Sequence, residues 1–175
     1  MSAVNGLPAH ILLVHAVVVL LPLSAVLLVA TAVSPAVRAR LAGPNVLLAL
    51  GVVALIPLTT EAGEWLEERV PRSDLVHQHA QLGDTAIYYA IGIAVLAVIV
   101  WWRQREAAAG PASRRRTFLA PLSSAVTVVI TVVTVVVAAA GVYGTYRIGD
   151  SGAKAVWTGN YSSAPIGGAT DGARD

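Results

Sequence analysis

Four stretches of this chain stay apolar for longer than the core of a soluble protein requires. Positions 11–33 hold no charged side chain and a single imidazole, His15. A second run, 46–60, is short for a span and extends as a helix over about 42–65. A third occupies about 81–102 and a fourth about 117–147. At about 1.5 Å of rise per residue, each can cross a hydrocarbon core about 30 Å thick. Pro22 and Pro57 lie inside the first two runs. Kinks are expected there, with Ser24, Thr59 and Thr60 placed to satisfy the carbonyls that lose an N–H partner.

Composition supports lipid as the main solvent. The 175 residues are 56% hydrophobic and 13% charged, about half the charged fraction of a soluble domain. Mean hydropathy is +0.70. The first run has no Lys or Arg before it and exceeds the length of a signal-peptide core, so it reads as a retained span. The chain has no cysteine, which excludes disulfides, thiolate metal sites and iron–sulfur clusters held by this chain alone. No hydrolase, kinase, nucleotide-binding or zinc-protease motif is present, and nothing points to nucleic acid.

Charge is unevenly distributed. The loop at 34–44 carries Arg38 and Arg40. The loop at 103–116 carries Arg103, Arg105, Arg114, Arg115 and Arg116. With four spans these loops share a side, and the positive-inside rule puts that side in the cytoplasm. The termini and the segment 61–81 then face outward. Trp65, Trp101, Trp102 and Trp157 fall near the expected interfaces, where indole is favoured.

This topology collects the polar chemistry at one membrane level. His10 and His15 enter the first span, Glu61 and Glu64 close the second, His77 and His79 precede the third, and Tyr143, Arg147 and Asp150 close the fourth. An ionisable group inside a membrane is costly unless it faces the bundle and finds a partner. His10 and His15 differ by about 140° around a helix. They share a face only if His10 precedes the helix. Arg147 is expected to pair with Asp150 or with a glutamate of the second span. Asp84 lies four residues before Tyr88. Thr127, Thr131 and Thr134 form a stripe that suits helix packing with back-bonded hydroxyls.

Several chemistries fit the cluster. Imidazoles from two helices, His15 with His79, would ligate a haem b axially. Histidines with Glu61 or Glu64 would bind a divalent transition metal. A quinone site or a proton relay is a third reading. The structural alternative is that these groups satisfy one another and lock the helix ends.

The blocks NGLPAHILLVHAVVVLLPLSA, PLTTEAGEWLEERV, HAQLGDTAIYY and RIGDSGAKAVW together resemble the bacterial membrane proteins grouped as DUF2231, in their actinobacterial branch. The resemblance covers about residues 5–157. It implies a four-helix membrane domain, and Rieske-type or other respiratory redox proteins as partners. His10 and His15 match the family's paired histidines, His79 the histidine before the third helix, and Glu64 the acid of the AGEWLEER block. Asp150 departs from the resemblance, since GHSGA is usual where this chain reads GDSGA.

The expectation is an all-α integral membrane bundle, up-down-up-down, in a bacterial inner membrane. Residues 1–8 form a short outer N-terminus, and the spans run at about 9–33, 42–65, 81–102 and 117–147. Residues 151–175 form an outer tail, disordered at its end. The cofactor ligands are His10, His15 and His79, with Glu61 and Glu64 added if the occupant is a metal rather than haem b. Asp84, Tyr143, Arg147, Asp150 and His77 support them. The function read from this is a redox-associated subunit, more a binding protein than an enzyme. The alternatives are an accessory or assembly subunit with a structural polar cluster, and, behind it, a small transporter or proton relay.

Overall fold

The computed structural model describes residues 3–109, 117–119 and 122–162. A minimal hairpin pairs β1 (Ala3–Val4) with β2 (Leu7–Pro8). Asn5 and Gly6, both at positive φ, form the two-residue turn that such a hairpin favours. Among the described residues five helices follow: α1 (Ala9–Val33), α2 (Pro35–Glu67), α3 (Asp74–Gly83), α4 (Ala86–Ala108) and α5 (Ser124–Trp157). Four are long and apolar enough to cross a membrane, if α3 and α4 are taken together as the third.

The spans form an up-down-up-down bundle. α1 packs on α2 and α5, and α4 packs on the same two helices from the other side. The short α3 lies over the end of α5. The interior is built from Leu21, Leu28, Val52, Ile56 and Ile93, interleaved with Ala25, Ala49, Ala90, Ala97 and Ala138. Small side chains let backbones approach, and in lipid this close packing replaces the hydrophobic drive that joins helices in water. Val19, Val26, Leu47, Val132 and Val136 point outward, where acyl chains are the matching solvent.

The α1–α2 connection differs from the expected loop at 34–44. One residue, Ser34, ends α1 and caps α2, accepting from the Val37 N–H at 3.4 Å, and Pro35 occupies the first turn. Proline fits there because its missing N–H has no helical partner in any case. Arg38 and Arg40 therefore lie on a helix. Arg38 turns back to donate from Nε to Thr31 O and from Nη2 to Ala32 O, each at 2.7 Å. These carbonyls belong to the unpaired last turn of α1, which a cation also stabilises through the helix dipole.

Other boundaries move as well. The helix that holds the third span breaks at Asp84 and Thr85, giving α3 and α4. α5 starts at 124 behind its cap Ser123 and continues to Trp157, so 151–157 are helix rather than tail. Glu106 accepts from the Phe118 and Leu119 N–H groups at 2.8 and 3.1 Å, tying the chain before α5 to the end of α4. Arg114, Arg115 and Arg116, and the tail beyond 162, lie outside the described residues.

The expected hydroxyl relief at the prolines does not occur. Thr59 donates to Leu55 O, and Thr60 to Ile56 O and Pro57 O, carbonyls of their own helix turn. Ser24 is buried with no hydrogen-bond partner among the described residues. Of the Thr stripe, Thr127 back-bonds Ser123 O at 2.8 Å, whereas Thr134 is fully buried and its hydroxyl has no hydrogen-bond partner among the described residues.

Candidate functional site

One end of the bundle brings together His10 from α1 and His79 from α3. Their ring centroids are 6.2 Å apart, edge to face at 75°. His10, second residue of α1, donates from Nδ1 to Thr59 O of α2 at 2.9 Å. The ring lies flat enough on α2 that a Cβ at Gly63 would stand 2.9 Å from its Nδ1. His79 Nδ1 lies 3.0 Å from Ser151 Oγ of α5, and a Cβ at Gly152 would stand 2.9 Å from its Cε1. Each imidazole thus rests on a glycine of a different helix.

The hydrogen-bond network assigns the tautomers. The Thr59 carbonyl only accepts, so His10 carries its proton on Nδ1. Ser151 directs its hydroxyl proton to Ile148 O at 2.8 Å, so its oxygen accepts from His79 Nδ1. In the neutral form both rings keep a lone pair on Nε2. A histidine that ligates a metal is held in this way, by its second nitrogen on a carbonyl or other acceptor. An imidazole centroid sits about 3.2 Å from a metal at its nitrogen. Two rings on one ion therefore have centroids about 5–6.4 Å apart, a range that includes the observed separation.

The remaining predicted residues stay apart from this pair. His15 lies on the exposed face of α1, and its Nδ1 bonds the Ile11 carbonyl of its own helix. The five-residue offset carries it away from His10 because α1 already begins at Ala9. The His15–His79 pairing is therefore replaced by His10–His79. Glu61 and Glu64 are exposed on α2. Glu67, one turn on and missed in the sequence, is half-buried, with Oε1 4.0 Å from His77 Nδ1. His77 also meets Gln81. Asp150 pairs with Lys154 at 2.7 Å rather than with Arg147, which is exposed. Tyr143 stacks on Tyr146. Asp84 and Tyr88 are exposed, whereas Tyr89 turns into the bundle against Gly144. Among the described residues no three His, Asp or Glu side chains converge as a metal cage.

Ser151, Gly63 and Gly152 were not singled out from the sequence. Helical spacing alone carries a trace of them: Gly63 is four residues after Thr59, on the face that meets His10. A family model described as predicted membrane protein, DUF2231, matches residues 6–165. No curated protein and no solved structure matches the chain.

Proposed function

The chain belongs to the DUF2231 family of predicted membrane proteins, and from that premise we propose that it is a redox-associated membrane subunit whose His10 and His79 bind a transition-metal centre. The observation that carries this reading is the pair of tethered imidazoles. Nδ1 of each is engaged by another helix, at Thr59 O or Ser151 Oγ, so Nε2 of each would be the nitrogen offered to a metal. Imidazole suits copper, zinc, iron and nickel. Two protein ligands leave further positions for water, for a partner's side chain or for a porphyrin. A bound metal of variable valence would supply one-electron transfer at this membrane surface.

The orientation belongs to the same proposal. Arg38, Arg40, Arg103 and Arg105 gather at the end opposite the histidines. The positive-inside rule supports placing that end in the cytoplasm and the imidazoles outside.

Protein purified in detergent, after growth with haem precursor and metals supplied, tests the reading by visible absorption before and after dithionite with elemental analysis. A Soret band with sharp reduced bands, or near-stoichiometric copper or iron, is the expected result, abolished in both His10→Ala and His79→Ala; stoichiometric zinc would overturn the redox reading, since it has one valence. A folded sample with neither signal overturns the proposal and leaves the polar cluster as a structural lock. His15→Ala is expected to leave the signal unchanged.

A further inference from the structure

The threonines of the spans follow one habit with two exceptions. Thr31, Thr59, Thr60, Thr127 and Thr145 each donate to a carbonyl three or four residues back along the chain. The hydroxyls of Thr131 and Thr134, on α5, have no hydrogen-bond partner among the described residues. Thr134 is fully buried. Thr131, one turn nearer the arginine end of the bundle, lines a cavity of about 20 Å³. Arg38 from the first turns of α2, Arg103 from the last turns of α4 and Thr127 share that cavity, and apolar side chains of α1, α4 and α5 close the rest of it.

A hydroxyl at this depth has no bulk water to bond. Thr131 lies about 10 Å inside the start of α5, at 1.5 Å of rise per residue, and a polar group left alone in an apolar medium is costly. The Thr127 carbonyl, four residues back, is the acceptor that a helical threonine ordinarily takes. Thr131 forgoes it and stands at the cavity instead. A buried water needs about 10–15 Å³ and about three polar partners. The cavity meets the first condition, with room for one molecule. Its wall meets the second. Arg38 spends Nε and one Nη2 proton on the α1 carbonyls, and its Nη1 makes no hydrogen bond among the described residues. Thr127 Oγ1 donates to Ser123 O and accepts from Arg103 Nη2 at 2.9 Å, which leaves one lone pair. Arg103 is thus already engaged, and Glu106 stands near enough to offset part of its charge, so a neutral occupant suits the site.

We infer that this cavity binds one ordered water, held by the Arg38 guanidinium and the hydroxyls of Thr131 and Thr127. The water accepts from Arg38, donates to Thr127 Oγ1 and bonds Thr131 Oγ1. It is a polar joint between α2 and α5, two helices that pack on α1 and α4 rather than on each other. Arg38 already closes the carbonyl end of α1, so the water extends that clasp to α5. The tie matters most for α5, which buries 17% of its most apolar window against 28% or more for the other spans. A bridging water is nearly as good as a direct hydrogen bond in enthalpy, and it reaches across a gap that neither side chain closes alone.

Valine matches threonine in shape and cannot hydrogen-bond, so Thr131→Val gives opposite signs for a wet and a dry cavity. With the water in place the change strips it of a partner. The thermal unfolding midpoint of the detergent-purified full chain is then expected to fall by about 2–4 °C, as loss of one hydrogen bond implies in a chain of this size. Thr131→Ser, which keeps the hydroxyl, should recover at least half of that fall. In a dry cavity the same valine removes an unpartnered hydroxyl, and an equal or higher midpoint overturns the proposal. A high-resolution density map of the unaltered protein reads the occupant without any variant. A single water-sized peak about 2.7–3.2 Å from both Thr131 Oγ1 and an Arg38 nitrogen is expected. A map that resolves these side chains and shows no such peak overturns the site. Crystals grown with bromide in place of chloride should show no anomalous signal there, and a signal would make the occupant an anion and overturn the assignment to water.

Discussion

Gly63 and Gly152 decide where the two imidazoles rest. Each ring occupies the space a Cβ would fill, at 2.9 Å from the nearest ring atom. That atom belongs to a side chain that can rotate away, so an added methyl displaces the ring without breaking the helix. Gly63→Ala and Gly152→Ala are expected to keep the fold and weaken the proposed metal site by about 10–100-fold, the usual effect of disturbing the shell behind the ligands. Metal titration beside circular dichroism separates the two effects. Gly144 differs, since its Cβ would overlap the Tyr89 ring, wedged between α4 and α5. Gly144→Ala should cost about 1–3 kcal/mol by overpacking, read as a lowered unfolding midpoint in detergent.

The one-residue link between α1 and α2 is the most constrained element. Ser34 serves two helices at once, and Arg38 closes the carbonyl end of α1. Ser34→Ala removes the cap and should cost about 1 kcal/mol, seen as faster amide exchange at 35–38 with little change in the rest of the bundle. The residues of this turn were visible in the sequence: Ser-Pro is a common helix start. What the sequence shows there is a gap between two apolar runs that carries Arg38 and Arg40, and a charged first helix turn looks the same as a charged loop. The break at Asp84 was not visible for the opposite reason. Asp84 and Thr85 both keep right-handed helical angles, and Gly83 beside them is a single glycine in an otherwise helical pattern, which does not by itself announce a break.

At the scale of the whole molecule the bundle has two chemically distinct ends, one with His10 and His79 and the other with Arg38 and Arg103. The chain has no native cysteine, so single cysteines report each end cleanly. In the proposed orientation, Ser73→Cys reacts with a membrane-impermeant maleimide added to intact cells, whereas Arg40→Cys reacts only after permeabilisation. The reverse pattern would invert the assignment. Four spans, their order and their segregation of charge were legible in the chain, because transfer into lipid is summed locally over contiguous residues and needs no partner. Which histidines meet was not legible. His10, His15 and His79 were equivalent as residue types, and they were separated by where α1 begins, how it is rotated and which helices flank it. The same holds for Ser151 and the two glycines, and for the meeting of Arg38 with Arg103 across one cavity. Helix rotation is set by small-residue packing against neighbours distant in sequence, so only the tertiary structure decided these meetings.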